Sequence, residues 1–171
     1  MHNMAIVKAS FTRQSGTAKA AIRYIQNRSG KDGAKISRTL FNADGLMGRF
    51  EAYRMINEAE QGSYFFRFVI SPDPKQEDTG KDLFLREITE KTIFSLEDRR
   101  NIQLQWVAAI HSDHAPHRHM HVIAIVLGRL QVQDFQVMRQ TATEAALEQR
   151  HQRDLALAQQ AQQREAAQWE R

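Results

Sequence analysis

The sequence predicts an α+β fold, in which helices pack on a central, mainly antiparallel sheet. Short runs rich in β-branched and aromatic residues alternate along the chain with longer stretches whose apolar residues recur at helical spacing. Two of the β-rich runs, residues 102–111 and 119–128, are joined by a histidine-rich segment and predict an antiparallel hairpin. With 171 residues, of which 42% are hydrophobic, the chain can bury one core.

The N-terminal part is predicted to form a strand followed by a helix. Residues 4–12 alternate between two sets of side chains, as a strand requires. In residues 13–30, four apolar residues recur at helical spacing: Ala18, Ala21, Ile22 and Ile25. Ser15 or Thr17 can cap the start of this helix, and Ser29-Gly30 ends it.

The middle of the chain is predicted to continue the same alternation of elements. Residues 30–35 form a polar loop, residues 36–41 a possible short strand, and residues 48–61 a second helix that ends at Gly62. The aromatic run SYFFRFVIS, closed by Pro72 and Pro74, indicates a buried strand.

Residues 80–100 repeat apolar side chains at helical spacing and predict a long amphipathic helix before the hairpin. The resulting order is strand, helix, possible strand, helix, strand, helix, strand, strand. We expect the helices of this arrangement to cover one face of the sheet.

The composition changes at residue 131. The segment from there to residue 171 has eleven glutamines, no glycine or proline and a net charge of about −1, whereas residues 1–130 carry about +5. It is predicted to be a helix or helix pair, exposed to solvent or self-associating. The chain is therefore divided into a catalytic domain, residues 1–130, and a helical extension, residues 131–171.

The composition also excludes several classes of protein. The absence of cysteine excludes disulfides, zinc–thiolate sites and thiol nucleophiles. No apolar run approaches the roughly 20 residues of a membrane span, and the N-terminus lacks the apolar stretch of a signal peptide. A soluble, intracellular protein without membrane insertion is expected.

Residues 8–38 carry eight basic side chains and a single acid, Asp32. A positive stripe of this kind suits a polyanion, because each neutralised phosphate releases condensed counterions. The alternative is a solvated helix face. The predicted DNA-binding residues are Lys8, Arg13, Lys19, Arg23, Arg28, Lys31, Lys35 and Arg38.

Five of the seven histidines lie between residues 111 and 121. Alternation along a strand puts His119 and His121 on one face, and hairpin pairing brings His111 back beside them. Three neutral imidazoles on one divalent ion, Mn, Mg, Zn, Ni or Co, leave positions open for water or substrate. The alternative is a polar turn in which backbone carbonyls satisfy some of the histidines; His114 and His117 fall in the connecting loop and contact phosphate or have no role.

A metal ion on three histidines serves hydrolysis, dioxygen chemistry or phosphoryl transfer, and the basic stripe favours phosphates. Without cysteine, the candidate nucleophiles are serine, threonine and tyrosine. Tyr53 and Tyr64 are expected to pack in the interior. Tyr24 has Arg23 beside it and the basic loop after it, where a nucleic acid would lie, although a tyrosine on a helix is also commonly structural.

These segments resemble the DNA relaxases, the plasmid-mobilisation nucleases of the HUH endonuclease superfamily. His119-Met120-His121, followed by the strand VIAIV, is similar to the histidine–hydrophobic–histidine motif, and His111 stands where the third metal-binding histidine is expected. The N-terminal MAIV and SGTAKAAIRYIQNRSGK are similar to the first relaxase motif, with Tyr24 at the position of the catalytic tyrosine. The resemblance spans about residues 4–145.

The resemblance implies a palm-like sheet of about five strands flanked by helices, with the two metal-binding strands at its centre. It implies a bacterial cytoplasmic enzyme that nicks single-stranded DNA at an origin of transfer. Tyr24 would form a 5′-phosphotyrosine, release a 3′-hydroxyl and later allow the strand to be rejoined. A divalent ion, Mn or Mg ahead of Zn, Ni or Co, would be held by the three histidines. Accessory relaxosome proteins and a coupling protein are the implied partners.

Asp113 matches the acid of a histidine-x-aspartate pattern, and it is expected to hold a ligand histidine in its tautomer or to help deprotonate Tyr24. Two departures from the family pattern leave questions open. Arg118 stands where proline is common, so His117 and His119 form an alternative histidine pair. The chain is also short, which indicates either the nuclease domain of a larger relaxase or a small stand-alone protein.

Other functions remain as alternatives to a relaxase. A rolling-circle replication initiator or single-strand transposase of the same superfamily shares the nicking chemistry. A non-catalytic DNA-binding protein could retain the fold and the metal. A metal-dependent enzyme acting on a small molecule is disfavoured by the basic stripe.

Overall fold

The computed structural model describes residues 5–113 and 116–169. Two residues named in the predictions lie outside these ranges: Met4, with which the first predicted strand begins, and His114. In chain order the elements are β1 (Ile6–Thr12), α1 (Ser15–Asn27), β2 (Leu40–Asn42), β3 (Gly45–Met47), α2 (Arg49–Asn57), β4 (Ser63–Ser71), α3 (Leu85–Arg100), β5 (Gln105–His111), β6 (His119–Leu127) and α4 (Val132–Trp169). This order confirms the predicted α+β class.

The strands form one antiparallel sheet in the order β1-β4-β6-β5-β2-β3. The predicted hairpin of β5 and β6 is confirmed, and these two strands lie at the centre of the sheet. Four of the five predicted strands are present, and the fifth, the possible strand at residues 36–41, overlaps β2 only at residues 40 and 41. The sequence did not predict β3. β2 and β3 are three residues long each, too short to show the alternation that identifies a strand.

The helix boundaries differ from the predictions at several ends. α2 ends at Asn57, and α3 begins only at Leu85. The predicted cap of α1 is wrong: the N-cap is Gln14, no side chain caps it, and the Thr17 hydroxyl instead donates to the Gln14 side chain at 3.3 Å. The predicted apolar stripe of α1 is confirmed, since Ala18, Ile22 and Ile25 are buried.

The expectation that helices cover one face of the sheet is wrong, because helices lie on both faces. α3 and α4 pack on the face formed by Phe68, Met120 and Val122. α1 and α2 pack on the opposite face, formed by Val107, Ala109 and Ile123. The physical reason is visible in β5 and β6, whose continuous apolar runs bury the side chains of both faces, as in sheets that are covered on each side.

The C-terminal segment forms one long helix, α4, rather than a helix pair. Its first half is part of the core with α3 and the sheet, through Met138, Ala142, Ala145 and Ala146. Asp134 stabilises its start by accepting from the backbone N–H of Gln131 at 2.6 Å and by pairing with Arg99 and Arg100 of α3. The second half, residues 151–169, is largely exposed. The predicted boundary at residue 130 falls just before this helix.

Two ion pairs hold the ends of the histidine-bearing strands. Arg118, just before β6, donates to both carboxylate oxygens of Asp78 at 2.7 and 2.8 Å and to the Leu83 carbonyl at 3.0 Å. Arg38 donates to both carboxylate oxygens of Asp113, just after β5, at 2.8 and 3.0 Å. The Arg118 pair is bidentate through Nε and Nη2, whereas Arg38 reaches both oxygens of Asp113 from Nη2 alone. These charge-assisted hydrogen bonds orient the backbone on either side of the hairpin loop. Within the described ranges, no helix is both long and apolar enough to cross a membrane.

Glu77, in the turn after β4, is completely buried. Its Oε1 accepts from the Asp73 backbone N–H at 2.6 Å, whereas its Oε2 has no hydrogen-bond partner among the described residues. Burial raises the pKa of the Glu77 carboxyl from 4.5 to about 7, although the backbone hydrogen bond opposes this shift. The folded protein therefore keeps a proton on Glu77 over a pH range in which the unfolded chain has lost it.

Glu77→Gln should remove this pH dependence from the stability. Between the unfolded pKa and the folded pKa of about 7, rising pH lowers the free energy of unfolding of the wild type, by up to roughly 3 kcal/mol in total. Glutamine has no proton to lose, so the variant should gain stability relative to the wild type between pH 5 and pH 8. Urea midpoints at the two pH values measure this difference. The exposed Glu165→Gln is the control, and equal pH dependence in Glu77→Gln and the wild type would contradict the prediction.

Candidate metal centre

Strand pairing brings three histidines together on the α1 face of the sheet. His111 of β5 lies directly opposite His119 of β6, and His121 follows two residues along on the same face. The ring centroids are 5.2 Å apart for His111 and His119, 4.4 Å for His111 and His121, and 5.0 Å for His119 and His121. One nitrogen from each ring lies within 4.8 Å of the others, so the three histidines can bind one metal ion.

All three rings are buried, with 0%, 8% and 5% of His111, His119 and His121 exposed. Burial penalises the charged imidazolium and lowers the pKa of His111 to about 4 and of His121 to about 3; it also lowers the pKa of His119. The three imidazoles are therefore neutral at pH 7. A neutral imidazole has a free nitrogen lone pair, which is the form that a metal ion requires.

The hydrogen bonds of the cluster leave nitrogen atoms available inside it. His111 Nε2 lies 2.7 Å from the backbone carbonyl oxygen of Ile25 and donates to it, which leaves the lone pair on Nδ1. His111 Nδ1 and both ring nitrogens of His121 are buried without a partner among the described residues. Unpaired buried polar atoms cost free energy, and a bound cation would satisfy them. The residues present therefore fit a divalent metal ion.

The Ile25 carbonyl is available to His111 because it lies in the last turn of α1, where backbone carbonyls have no partner within the helix. The contact joins residues 86 positions apart in the chain. It fits the alternative considered from the sequence, in which a backbone carbonyl satisfies a histidine, yet it uses only one nitrogen of one ring. The same bond fixes the tautomer that directs Nδ1 into the cluster.

The structure settles which histidines group together. His119 and His121 form the pair with His111, while His117 is half-buried with its ring 6.3 Å from that of His119 and is not in the cluster. His114 lies outside the described residues. The alternation of β6 explains the choice, because Met120 points into the opposite core between the two ligand candidates.

Asp113 lies two residues after His111, but its carboxylate is paired with the buried guanidinium of Arg38. Within the described residues, no hydrogen bond joins Asp113 to a histidine of the cluster. Arg38 also donates to the carbonyl of Arg28 at 2.8 Å, and its backbone N–H donates to the carbonyl of Gln26. The Arg38–Asp113 pair therefore connects the end of α1 to the end of β5.

Tyr24 lies on α1, one residue before the carbonyl that contacts His111, and 41% of it is exposed. Two guanidinium groups lie over its ring, that of Arg67 at 4.8 Å and that of Arg28 at 5.6 Å from the ring centroid. The positive charges of the same two arginines contribute to the low pKa of His121. Tyr24, Arg28 and Arg67 therefore border the histidine cluster. Tyr53 and Tyr64 are partly buried against the two cores, as the sequence predicts.

The eight basic residues of the predicted stripe are distributed over several surfaces. Lys8, Arg23, Lys31 and Lys35 are exposed, and Arg28 is half-buried beside Tyr24. Lys19 donates to the Asn57 side chain at 3.0 Å. Arg13 lies over the ring of Tyr64 on the opposite face of the sheet, and Arg38 is buried in its pair with Asp113.

Sequence reasoning missed Arg67 and the Ile25 carbonyl. Arg67 is the single charged residue of the aromatic strand SYFFRFVIS, and β4 alternation directs it to the face that carries His121. An arginine inside an otherwise apolar strand was the available signal. A backbone carbonyl carries no signal in the sequence, because every residue has one.

Comparisons of this chain with protein-family models, with curated proteins and with solved structures found no match.

Metal binding should depend on the histidine triad. Calorimetric titration with Mn²⁺ is expected to show one bound ion per chain, and His121→Ala should abolish this binding because it removes a ligand and leaves two. His151→Ala, on the exposed half of α4, is the matched control. Unchanged binding in His121→Ala would exclude the triad as the metal site.

The pH dependence of metal binding offers a second test. Protons compete with a metal ion only where the imidazoles are charged, and the lowered pKa values of His111 and His121, about 4 and 3, move this competition to acid pH. Affinity should therefore stay nearly constant from pH 8 to pH 6, whereas histidines with the ordinary pKa of about 6.5 would lose affinity there. Titration at pH 7 in two buffers of different ionisation enthalpy should show almost no proton release. Release of one or more protons per ion would contradict the low pKa values.

Proposed function

We propose that this protein is a metal-dependent relaxase, which nicks single-stranded DNA through Tyr24 and holds the cut end as a 5′-phosphotyrosine. One observation carries the proposal: a buried cluster of three neutral histidines lies beside a partly exposed tyrosine whose ring contacts two arginines. The cluster can bind a cation, the arginines attract a phosphate, and the tyrosine supplies a hydroxyl nucleophile.

Tyr24 is the best nucleophile that the chain offers at this position. The chain has no cysteine, and its other two tyrosines pack against the cores. The hydrogen bond from His111 to the Ile25 carbonyl joins α1 to the cluster, which keeps Tyr24 at a defined position relative to the histidines. The Arg38–Asp113 pair supports the same connection from the loop that follows α1.

The proposed reaction is a transesterification at phosphorus. The Tyr24 oxygen forms a bond to the scissile phosphorus and loses its proton, while the bond from phosphorus to the 3′ oxygen breaks and that oxygen gains a proton. One phosphodiester is exchanged for another, so the reaction needs neither an oxidant nor an energy source. The reverse attack by a 3′-hydroxyl rejoins the strand and releases Tyr24.

His111, His119 and His121 would hold the metal ion, with Mn²⁺ or Mg²⁺ preferred and Zn²⁺, Ni²⁺ or Co²⁺ as alternatives. When bound, such an ion polarises a phosphate oxygen and orients the scissile group. The chain itself contributes neutral ligands, a dry site and a fixed tautomer of His111. Asp113 acts indirectly in this proposal, through Arg38, by fixing the end of β5.

Single-stranded DNA has an accessible approach to this site across β1 and β4. Lys8 of β1 is exposed and pairs with Val69 of β4, which in turn pairs with His121, so Lys8 shares the histidine face at a distance of about two strand spacings, roughly 10 Å. Lys31 and Lys35 extend from the loop after α1. In this proposal the protein acts in the bacterial cytoplasm on origin DNA, together with accessory relaxosome proteins and a coupling protein.

Tyr24→Phe should abolish covalent adduct formation while sparing DNA binding. The change removes only a hydroxyl for which the structure shows no hydrogen bond within the described residues, so the fold should be preserved. The measurement is a denaturing gel of protein incubated with Mn²⁺ and a supercoiled plasmid that carries its own origin region. The wild type is expected to nick the plasmid and to remain on the 5′ end.

Tyr53→Phe is the matched control, because it makes the same chemical change on the neighbouring helix α2. Adduct formation by Tyr24→Phe at the wild-type level would exclude Tyr24 as the nucleophile. DNA binding without any adduct in the wild type would instead favour a non-catalytic DNA-binding protein.

Charge reversal at Lys31 and Lys35 should flatten the salt dependence of DNA binding. Each lost phosphate contact to a single strand lowers the slope of log K against log salt by about 0.7, so the double variant should lose about 1.4. Fluorescence anisotropy with a labelled single-stranded oligonucleotide at several salt concentrations measures the slope. The control reverses two exposed charges elsewhere, Lys91 and Arg164. An unchanged slope in the Lys31/Lys35 variant would remove this loop from the interface.

A further inference from the structure

We propose that Arg67, together with Arg28, binds the scissile phosphate between Tyr24 and the histidine cluster. This inference rests on the proposed strand-transfer function and names a residue that the sequence pattern alone did not select. Arg67 would both hold the phosphate and keep the Tyr24 ring in place. Three features of Arg67 support this role: its position in the sheet, its charge without a carboxylate partner among the described residues, and its contact with Tyr24.

The position of Arg67 in the sheet places it next to the histidine cluster. Arg67 of β4 lies opposite Ile123 of β6, so it is the diagonal neighbour of His121 on the same face of the sheet, at about 7–8 Å between Cβ atoms. A side chain as long as arginine spans that distance. Across the other edge of β4, Arg67 pairs with Ser10 of β1, which is exposed. Arg67 therefore stands between the accessible part of the sheet and the buried cluster.

The charge of Arg67 is not balanced by a carboxylate among the described residues. The other arginines that are buried or nearly so each have a carboxylate partner: Arg38 pairs with Asp113, Arg118 with Asp78 and Arg150 with Asp82. Arg67 is half-buried, yet within the described residues it has neither an ion pair nor a side-chain hydrogen bond. Arg28, Arg49 and Arg139 are likewise half-buried without a carboxylate partner among the described residues. Arg67 and Arg28 differ from the other two because both also lie over the ring of Tyr24, where a bound phosphate would supply the missing negative charge.

Arg67 and Arg28 both contact the ring of Tyr24. The Arg67 and Arg28 guanidinium groups lie 4.8 and 5.6 Å from the centroid of the tyrosine ring. A guanidinium that lies over an aromatic face keeps its N–H groups free at the edge of its plane, where they can donate to two phosphate oxygens. The arrangement brings nucleophile and phosphate-binding donors together before the DNA arrives.

The electrostatics of the site favour an anionic ligand such as a phosphate. Two guanidinium groups without a carboxylate partner among the described residues adjoin a cluster that fits a divalent cation, and the carboxylate of Asp113, two residues after His111, is already paired with Arg38. A phosphodiester adds negative charge when the Tyr24 oxygen bonds to phosphorus. Donors that are fixed beforehand stabilise that added charge more than the ground state, which is the requirement for catalysis.

The experiment compares Arg67→Ala and Arg67→Lys with the wild type in two assays. The first assay is anisotropy of a fluorescein-labelled oligo-dT without added metal, which reports phosphate contacts independently of cleavage. The second is the rate of covalent adduct formation on origin DNA with Mn²⁺ at saturating DNA. Arg129→Ala is the matched control, because it removes an exposed arginine beyond the opposite end of β6. Mn²⁺ calorimetry verifies that each variant keeps a folded histidine cluster.

Arg67→Ala should lower the salt slope of oligo-dT binding by about 0.7, the contribution of one phosphate contact. It should slow adduct formation by about 100-fold, as for the loss of one fixed donor to a developing negative charge. Arg67→Lys should restore the salt slope but not the adduct rate, because lysine keeps the charge and loses the planar contact with Tyr24. If Arg67→Ala does not fold, Arg67→Met is used in its place, because methionine keeps an apolar side chain similar to the stem of arginine.

The outcomes separate this inference from the proposed function. A wild-type salt slope in Arg67→Ala would overturn the phosphate contact, whatever the adduct rate. A lower slope in a protein whose wild type forms no adduct would retain the phosphate site and reject strand transfer. A normal adduct rate in Arg67→Lys would overturn the role of the ring contact. Equal losses in Arg129→Ala would overturn the specificity of the assignment to Arg67.

Discussion

Three imidazoles are buried between the central strands and α1, and their burial sets the physical requirements of the surrounding site. Unpaired buried ring nitrogens cost about 1–3 kcal/mol each, and His111 and His121 carry three that have no partner among the described residues. The fold tolerates this cost because the same two strands contribute apolar side chains to a core on each face. Burial of these nitrogens lowers the stability of the fold unless a cation binds to them. Such a cluster is more typical of a binding site than of a core.

One hydrogen bond links this cluster to the helix that carries Tyr24. The Ile25 carbonyl, left free at the end of α1, fixes the tautomer of His111 and keeps the helix against β5. A candidate metal ligand, His111, and Tyr24 are distant in the chain but are held in a defined arrangement by this contact. Ion pairs reinforce it at both strand ends, since Asp113 follows His111 by two residues and Arg118 immediately precedes His119. These pairs fix the strand ends next to His111 and His119. The positions of the histidines therefore do not depend on hydrogen bonds between their rings, of which the described residues show none.

Arginine has two different uses around this site. Arg38 and Arg118 are neutralised by carboxylates and brace the loops, whereas Arg28 and Arg67 lie over the Tyr24 ring without a carboxylate among the described residues. The first use leaves little charge for a ligand, and the second leaves a local positive field beside Tyr24. The basic residues counted along residues 8–38 therefore differ in meaning, because burial and pairing decide which of their charges reach solvent.

Much of the fold was predictable because its signals are local. α1 has a helical apolar period, and β4 and β6 are runs of β-branched and aromatic or apolar residues; all three were predicted within a few residues of their observed limits. β3 was missed because three residues show no period, and the division of the helices between two faces was missed because it depends on how β5 and β6 are covered. Met120 shows the same limit of sequence-based prediction. Strand alternation predicts that its side chain points away from His119 and His121, but not which helices pack on that side of the sheet.

The histidine triad was predictable from the sequence, since a period of two along β6 and hairpin pairing with β5 suffice to bring His111, His119 and His121 together. The helical spacing of α1 likewise places Tyr24 at the margin of its apolar stripe. Three other contacts became visible only in the folded chain: Asp113 pairs with Arg38, the Ile25 carbonyl accepts from His111, and Arg67 lies over Tyr24. Contacts of the first kind follow from backbone geometry, whereas those of the second kind join segments 43 to 86 residues apart, whose meeting depends on the packing of the whole core.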